Sequence, residues 1–397
     1  MIKVIHTSDF HIGVPVAGMR GRDIRNLRRN DIFSAIDRVF KFAVNENVNI
    51  VIISGDIFHS PNPSPQDFLK LDELLKYLEE NGVHVVAIAG NHDKRKIRGE
   101  EGYLSIYKSR GGEYIHYQDK ISDKPLVISV GDAKIGFVLI PYLSGKFVKA
   151  HTGDRYVKEY QSVIEKIVTR QLSKLNGVDY KILVGHLTVS GANLGPKISY
   201  VAYDDPPIHI NTLHPEQFDY IALGHIHVPQ KISQNIYYSG SIERIDFSEE
   251  NIDKLFYLIT LRDKLEVKKI PLASRKMITL DISVSPLSSP LNQIINVISS
   301  EDVKGAMLRI KLSGETDVIN RLYLEIHRLD NMLFNKLGVA AYKIETRYLT
   351  KVVKEKVDYK EIDLAKAFED YIKNRFRGRR KEVLDKAIEV GRRFLNI

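Results

Sequence analysis

The 397-residue chain has no cysteine, no tryptophan and only five methionines. Without cysteine there are no disulfides, no thiolate nucleophile and no thiolate-based zinc site. No apolar run reaches the ~18–20 residues that a membrane-spanning helix needs, so no membrane association is expected. The opening MIKVIHTSD has neither the basic stretch nor the apolar stretch of a secretion signal. Internal repeats and low-complexity segments are missing as well. A cytoplasmic protein is the simplest expectation, and the scarcity of Met and Trp beside abundant Lys, Glu and Ile leans towards a thermophilic source.

What is present is a globular composition, 43% hydrophobic and 27% charged, with length for two or three domains. The formal charge of +9 is unevenly placed: residues 341–397 carry 16 Lys and Arg against 10 Asp and Glu, whereas the first 340 residues hold a surplus of only three. Such charge suits an acidic partner such as nucleic acid, or serves solubility alone.

Over the first ~270 residues, short β-branched runs alternate with amphipathic stretches. Runs at Lys3–Ile5, Ile50–Ser54, Val83–Ala89, Lys181–Val184 and Tyr220–Leu223 suit strands buried on both faces. Asp31–Asn45, Pro65–Asn81 and Glu159–Lys174 have helical spacing, the second opened by Pro65 and closed by Gly82. Leu255–Thr260 and Leu265–Lys269 read as a hairpin. This is an α/β layered pattern. Arg275–Glu345 then reads strand (278–284), helix (291–298), strand (307–312), helix (317–334), strand (339–344), a small α+β unit. Asp363–Phe376 and Arg380–Leu395 read as two final helices. The expected domains are 1–272, 275–345 and 346–397.

Five apolar runs end in the same chemistry. VIHTSDFH ends in Asp9 and His11, VIISGDIFH in Asp56 and His59, and VVAIAGNHD in Asn91, His92 and Asp93; KILVGH ends in His186 and YIALGHIH in His225 and His227. Open α/β sheets bind ligands beyond the carboxyl ends of their strands. A lone histidine after a strand is ordinarily structural, and a lone GD or GH dipeptide means little. Here six of the thirteen histidines fall in ordered turns after apolar runs. The other seven, including His6 and His84 within strand runs, read as structural. Imidazole and carboxylate suit Mn, Fe, Zn or similar ions. Asp9, His11, Asp56, Asn91, His186, His225 and His227 are too many for one ion and suit two, bridged by a carboxylate, as phosphoryl chemistry uses.

The order DxH, GDxxH, GNHD, GH, GHxH resembles the calcineurin-like metallophosphoesterases over roughly residues 1–270. Within them the chain looks like the Mre-type (SbcD-like) nuclease subunits of double-strand-break repair. The second motif is GDIFHSP, with His59, not the GDxVDRG of phosphoprotein phosphatases, and YYSGSIERIDFSEE at 237–250 is similar to the nucleases. The resemblance implies a layered metallophosphoesterase β-sandwich flanked by helices, a capping domain at 275–345 and C-terminal partner-binding helices. It implies that Asp9, His11 and His227 hold one divalent ion, Mn²⁺ by family, that Asn91, His186 and His225 hold a second, and that Asp56 bridges them. His92 is then the general acid, Asp93 orients its imidazole, and His59 contacts the scissile phosphate. The implied activities are 3′→5′ exonuclease on duplex DNA and endonuclease on single strands. The implied partners are DNA, a second copy in a homodimer and a Rad-type SMC-like ATPase.

Two basic clusters flank these motifs: Arg20, Arg22, Arg25, Arg28 and Arg29 after the first, and Lys94, Arg95, Lys96 and Arg98 after GNHD. Each reads as a DNA-phosphate contact or as a solvated loop. Phe68, Leu71, Leu74, Leu75 and Leu78 read as core, or in part as a face for a second subunit. The C-terminal helices present Leu364, Ala367, Phe368, Tyr371 and Ile372, then Val383, Leu384, Ala387, Ile388 and Phe394, faces that dock back on the cap or take the ATPase. Two readings compete with the nuclease: a phosphatase or cyclic-nucleotide phosphodiesterase, and a non-catalytic DNA-end-bridging scaffold.

Overall fold

The computed structural model describes residues 1–94, 102–145, 156–195, 206–349, 364–376 and 381–395. They belong to two units, Met1–Tyr348 and Leu349–Ile397. In the first unit the β-branched runs form parallel strands, since a segment apolar on both faces is stable only between two covering layers. The strands β1 (Ile2–Thr7), β3 (Ile50–Ile53), β4 (His84–Ile88) and β5 (Ile115–Gln118) pair in parallel, with Val4 beside Ile50 and Ile50 beside His84. β12 (Lys254–Leu261) and β13 (Glu266–Leu272) add antiparallel at the β1 edge, giving the order β13-β12-β1-β3-β4-β5. A second sheet runs β10 (Gln230–Lys231), β11 (Ile236–Tyr238), β9 (Tyr220–Gly224), β8 (Tyr180–His186), β7 (Ala133–Ile140), β6 (Leu126–Val130).

The two sheets share one core. Val4, Ile50, Ile52, Val86 and Ile88 of the first meet Phe137, Leu139, Ile182, Val184 and Ala222 of the second. Alternate residues point the other way and need a second cover. On the first sheet, Ile5, Val51, Ile53 and Val85 are covered by α1 (Ile24–Asn45) and α2 (Pro65–Glu80), with the short α3 (Ser105–Arg110) beside β5. On the second, Val138, Leu183 and Ile221 are covered by α4 (Tyr156–Leu172). The architecture is a helix–sheet–sheet–helix sandwich of the α/β class. Ser64 caps α2, its Oγ accepting from the Asp67 N–H at 3.1 Å, with Pro65 in the first turn. Leu71, Leu74, Leu75 and Leu78 are buried in the core.

Three features differ from the sequence reading. α1 begins at Ile24, not Asp31, so Arg25, Arg28 and Arg29 lie on a helix and not in a loop. Strands β5, β6 and β7 lie outside the expected set; β7 is interior to its sheet, but its run AKIGFVLI delivers no Asp or His to mark it. The helix expected at 317–334 is broken into α6 (Thr316–Leu324), α7 (Ile326–Asn331) and a π turn at Met332–Lys336, and no proline or glycine marks the break.

A third sheet has the order β14 (Met277–Val284), β15 (Met307–Glu315), β16 (Ala341–Leu349), β2 (Arg20–Gly21). Ile294 and Ile298 of α5 (Pro290–Ser299) and Ile319 and Leu322 of α6 pack with Leu308, Ile310 and Leu312 of β15. β2 comes from the segment after the first motif and pairs antiparallel with β16, Arg20 beside Tyr342. In the second unit, α8 (Leu364–Arg375) and α9 (Lys381–Leu395) meet where Gly391 lies against the Phe368 ring, so closely that a β-carbon would not fit. Arg392 pairs with Glu369 there. Ile388 is buried, whereas Tyr371, Phe376, Val383 and Val390 are exposed; the side chains of Leu364, Ala367 and Phe394 lie outside the described residues. Among those residues no helix is long and apolar enough to cross a membrane.

Candidate metal centre

Every motif residue sits at or just beyond a strand's carboxyl end. Asp9 and His11 follow β1, Asp56 and His59 follow β3, and Asn91, His92 and Asp93 follow β4; His186 ends β8, and His225 and His227 follow β9. The loops after β1 and β3 are laced together by backbone bonds: Asp9 N–H to the Gly55 carbonyl (3.0 Å), His11 N–H to that of Asp56 (3.0 Å) and His59 N–H to that of Ile12 (2.9 Å). Four candidate ligands hold left-handed backbone, Asp9 (φ 52°), His11 (φ 49°), Asp56 (φ 49°) and His225 (φ 90°). Each such residue costs about 1–3 kcal/mol, which persists only where the surroundings fix it. At Gly90 an added β-carbon would run into the Asp56 carboxylate, and at Gly224 into the Ser54 carbonyl that backs His186; the chain passes these groups too closely for any side chain.

The structure gathers the ligands into two sets. Asp9, His11 and His227 form one; Asp56, His186 and His225 form the other; within each, the donor atoms lie within 4.8 Å of one another. Asn91 Oδ1 joins the second, 3.1 Å from His186 Nε2 and 3.0 Å from His225 Nδ1. Asp56 stands between the sets: its Oδ2 is 3.6 Å from His11 Nε2 and 3.5 Å from His186 Nε2. Its Oδ1 accepts the His92 N–H at 2.8 Å, which fixes the carboxylate's rotation. Asp9 is fixed likewise, by Ser8 Oγ at 2.5 Å and the His225 N–H at 3.1 Å.

The donors fit cations on their own chemistry. His186 Nδ1 is 2.8 Å from the Ser54 carbonyl and His227 Nδ1 is 2.7 Å from Glu249 Oε1. Both partners only accept, so each Nδ1 carries a proton, and with the ring neutral each Nε2 turns a lone pair towards the cluster. On His186 that lone pair meets the oxygens of Asn91 and Asp56; on His227 it lies 3.0 Å from His11 Nε2. Buried oxygens gathered around ring nitrogens call for positive charge among them, supplied by a ring proton or by a bound cation. Ionisation shows the same field. Burial pushes the His186 pKa down, but Asp56 and Asp9 outweigh it and raise it to about 9. Burial pushes Asp56 up, yet His186 and His11 hold it well below the carboxylate range. Burial likewise opposes the rise at His227, where Glu249 prevails.

Beside the two sets, His11, His59 and His92 form a third group of ring nitrogens within 4.8 Å. The His59 and His92 ring centres are 4.7 Å apart. One role assigned from the family changes here. The resemblance implies that Asp93 orients His92, but its carboxylate accepts three backbone N–H bonds, from Ile57 (3.1 Å), Phe58 (2.8 Å) and Gly90 (2.9 Å). His92 Nδ1 is instead 2.9 Å from the His59 carbonyl. Asp93 is buried where the loops after β3 and β4 meet, and those N–H groups have first claim on it.

The basic residues disperse. Arg20 makes a bidentate pair with Asp330 (2.7 and 3.2 Å), and Arg22 bonds Asn335 (2.7 Å). Arg28 is buried, bonded to Asp31 and the Arg244 carbonyl, and so does not face solvent. Arg29 bonds Asp67 (2.7 Å). Arg25 is exposed. Lys94 is partly buried, its ammonium on the Tyr142 carbonyl, and burial lowers its pKa to about 8. Arg95, Lys96 and Arg98 lie outside the described residues.

Two features of the site had no sequence signal. Glu249, behind His227, lies within the stretch 237–250 but in no metal-ligand motif. Tyr142, after β7, brings its ring centre within 6.2 Å of those of His186 and His225; its strand lacks the Asp or His ending that marked the others.

The sandwich, with ligand sets from both sheets meeting around one aspartate, defines a metallophosphoesterase. The calcineurin-like phosphoesterase family model matches residues 2–229, and the chain belongs to that family. It is similar to the SbcD subunit of the nuclease SbcCD from Staphylococcus epidermidis (strain ATCC 12228 / FDA PCI 1200), 23% identical over 348 residues, which cover 84% of this chain and 86% of that protein. Among solved structures it is similar to a dimetal phosphatase from Danio rerio (11% identity, TM-score 0.37, 69% of this chain and 97% of that one). It is also similar to the purple acid phosphatase PPD1 from yellow lupin seeds (13% identity, TM-score 0.36, 69% and 54%).

Proposed function

We propose that the chain is a manganese-dependent DNA nuclease that processes DNA ends. The observation that carries the phosphoester chemistry is the place of Asp56, with Oδ2 shared between the two ligand sets and Oδ1 fixed by His92. Asp9, His11 and His227 would hold one ion and Asn91, His186 and His225 the other, with Asp56 common to both. When bound, such a pair acidifies water and offsets charge on the phosphoryl oxygens. The chain's own residues do the rest. The His59 carbonyl accepts the Nδ1–H of His92, so the proton for the leaving oxygen sits on Nε2, and His92 works as a general acid only as imidazolium. His59, its ring tilted against that of His92, would bond the phosphate. Asp93 ties the loops that carry both histidines.

Two observations favour DNA over a small phosphoester: the similarity to a nuclease subunit spans 348 residues, well beyond the phosphoesterase domain, and the second motif carries His59 in GDIFHSP. On this reading 1–272 is the nuclease domain, 275–345 a cap, and 346–397 the segment that takes a Rad-type SMC-like ATPase, in a cytoplasmic homodimer. The test incubates the chain and Mn²⁺ with labelled duplex DNA, single-stranded DNA, p-nitrophenyl phosphate and its bis ester. Cleavage of duplex ends from the 3′ side and of single strands internally is expected. Hydrolysis of the monoester with both DNAs intact would establish the phosphatase reading instead.

A further inference from the structure

The residue behind His227 is unusual in its setting. Glu249 is buried, and nothing about the motif chemistry requires it. Its Oε1 is 2.7 Å from His227 Nδ1. Its Oε2 accepts from Lys254 Nζ at 2.7 Å, Ser241 Oγ at 3.2 Å and the Ile245 N–H at 3.1 Å. Lys254 is itself buried on β12, and its ammonium also reaches Ser241 Oγ (2.7 Å) and the His227 carbonyl (3.3 Å). A buried ion pair recovers its desolvation cost poorly and is weak evidence of a purely stabilising role. Here the carboxylate has one oxygen locked by three donors and the other on a ring nitrogen, an arrangement that sets the ring's tautomer and angle. Among the described residues, His186, the counterpart in the other set, has the neutral Ser54 carbonyl behind its Nδ1 in place of a carboxylate.

The lock continues outward. Arg244 Nε donates to the Glu249 carbonyl at 3.1 Å, and its Nη1 donates to Ser274 Oγ (2.8 Å) and the Arg275 carbonyl (3.0 Å). Arg275 in turn bonds Asp31 and, at 2.7 Å, the Gly305 carbonyl. The chain of bonds therefore runs from His227 to the segment joining β13 to β14.

We infer that Glu249, held by Lys254, is a positioning residue that presents His227 Nε2 to the first ligand set, so that the two sets differ in how their affinity is controlled. The inference rests on the ligand assignment above. Removing such a partner lowers metal affinity by roughly 10–100-fold. The experiment titrates the full-length, metal-free chain with Mn²⁺, following free ion by electron paramagnetic resonance and heat by calorimetry, with no substrate present. Wild type is expected to bind two ions. Glu249→Gln, which keeps the shape but removes the charge, is expected to weaken one binding event by about 10-fold or more and leave the other unchanged, with Glu249→Asp recovering part of the loss. Should Glu249→Gln fail to fold, the double variant Glu249→Leu/Lys254→Met removes both buried charges together and is expected to fold and show the same one-site loss. Two unaltered binding events in a folded variant would overturn the inference while leaving the ligand assignment standing. A wild type that binds no Mn²⁺ would overturn the assignment itself.

Discussion

Two sets of reactive side chains in this chain end in opposite ways. The strand-end motifs bring ten residues from five strands to one edge of a sandwich. The run from Arg20 to Arg29 holds five arginines in ten residues and scatters them: to the third sheet through Asp330 and Asn335, to the interior through Asp31, and to α2 through Asp67. Density of chemistry along a sequence is therefore not a site. The strand ends converge because parallel strands must all finish at the same edge. On α1 the successive residues Arg28 and Arg29 are turned by about 100°, so one meets Asp31 in the interior and the other Asp67 of α2.

This contrast can be broken at its strongest point first. Asp56→Asn is expected to lower Mn²⁺ occupancy at both sets and to reduce phosphodiester hydrolysis by at least about 10⁴-fold, since charge stabilisation and water activation fail together; metal analysis beside a turnover assay checks it. Full metal content would remove Asp56 from the bridging position. His92→Ser separates chemistry from binding: metal content holds while cleavage falls by about 10²–10⁴-fold, the range of a lost general acid. Near-normal cleavage would assign the acid elsewhere.

On the arginine side, Arg28→Met leaves Glu243 buried without the cation 3.9 Å away, while Asp31 keeps Arg275. A loss of about 3–5 kcal/mol in denaturant unfolding is expected, with DNA affinity of the folded fraction unchanged. His6 tests the contrast among the histidines. It lies on β1, three residues before Asp9, fully buried between Tyr220 Oη and Ser54 Oγ, both at 3.0 Å, and burial lowers its pKa from 6.5 to about 3. The folded chain refuses a proton that the unfolded chain accepts, so this contribution is complete above pH 6.5 and is lost as pH falls towards 3. Between those values one proton alters stability by about 1.4 kcal/mol per pH unit. His6→Gln is expected to flatten the acid side of the stability curve by up to that slope, and an unchanged slope would place the acid sensitivity elsewhere. The smallest effect belongs to Arg25, exposed on α1. Arg25→Ala is expected to leave stability alone and reduce the salt dependence of DNA binding by about one unit of slope; an unaltered slope would exclude it from phosphate contact.

The sandwich and its ligand edge were legible in the sequence because two local rules suffice. Runs such as IVII at β3 must be buried on both faces, and the residue after such a run must stand at a sheet edge. Strand β7 obeys the first rule yet stays hidden, because nothing reactive follows its run. The break between α6 and α7 has no local signal at all. Asp93 reads as a partner of its sequence neighbour His92, whereas three N–H groups hold it, two from the loop after β3 and one, Gly90, from its own.

By itself the sequence determined which residues could ligate a cation, their order, and the α/β layering that serves them, since each follows from the periodicity and chemistry of a short segment. The tertiary structure decided the rest: that Asp56 stands between two sets, that Glu249 and Lys254 back His227, and that four of five neighbouring arginines find partners inside the protein. Those outcomes depend on which groups meet across loops and sheets, and a buried charge settles on the nearest group able to satisfy it, wherever in the chain that group lies.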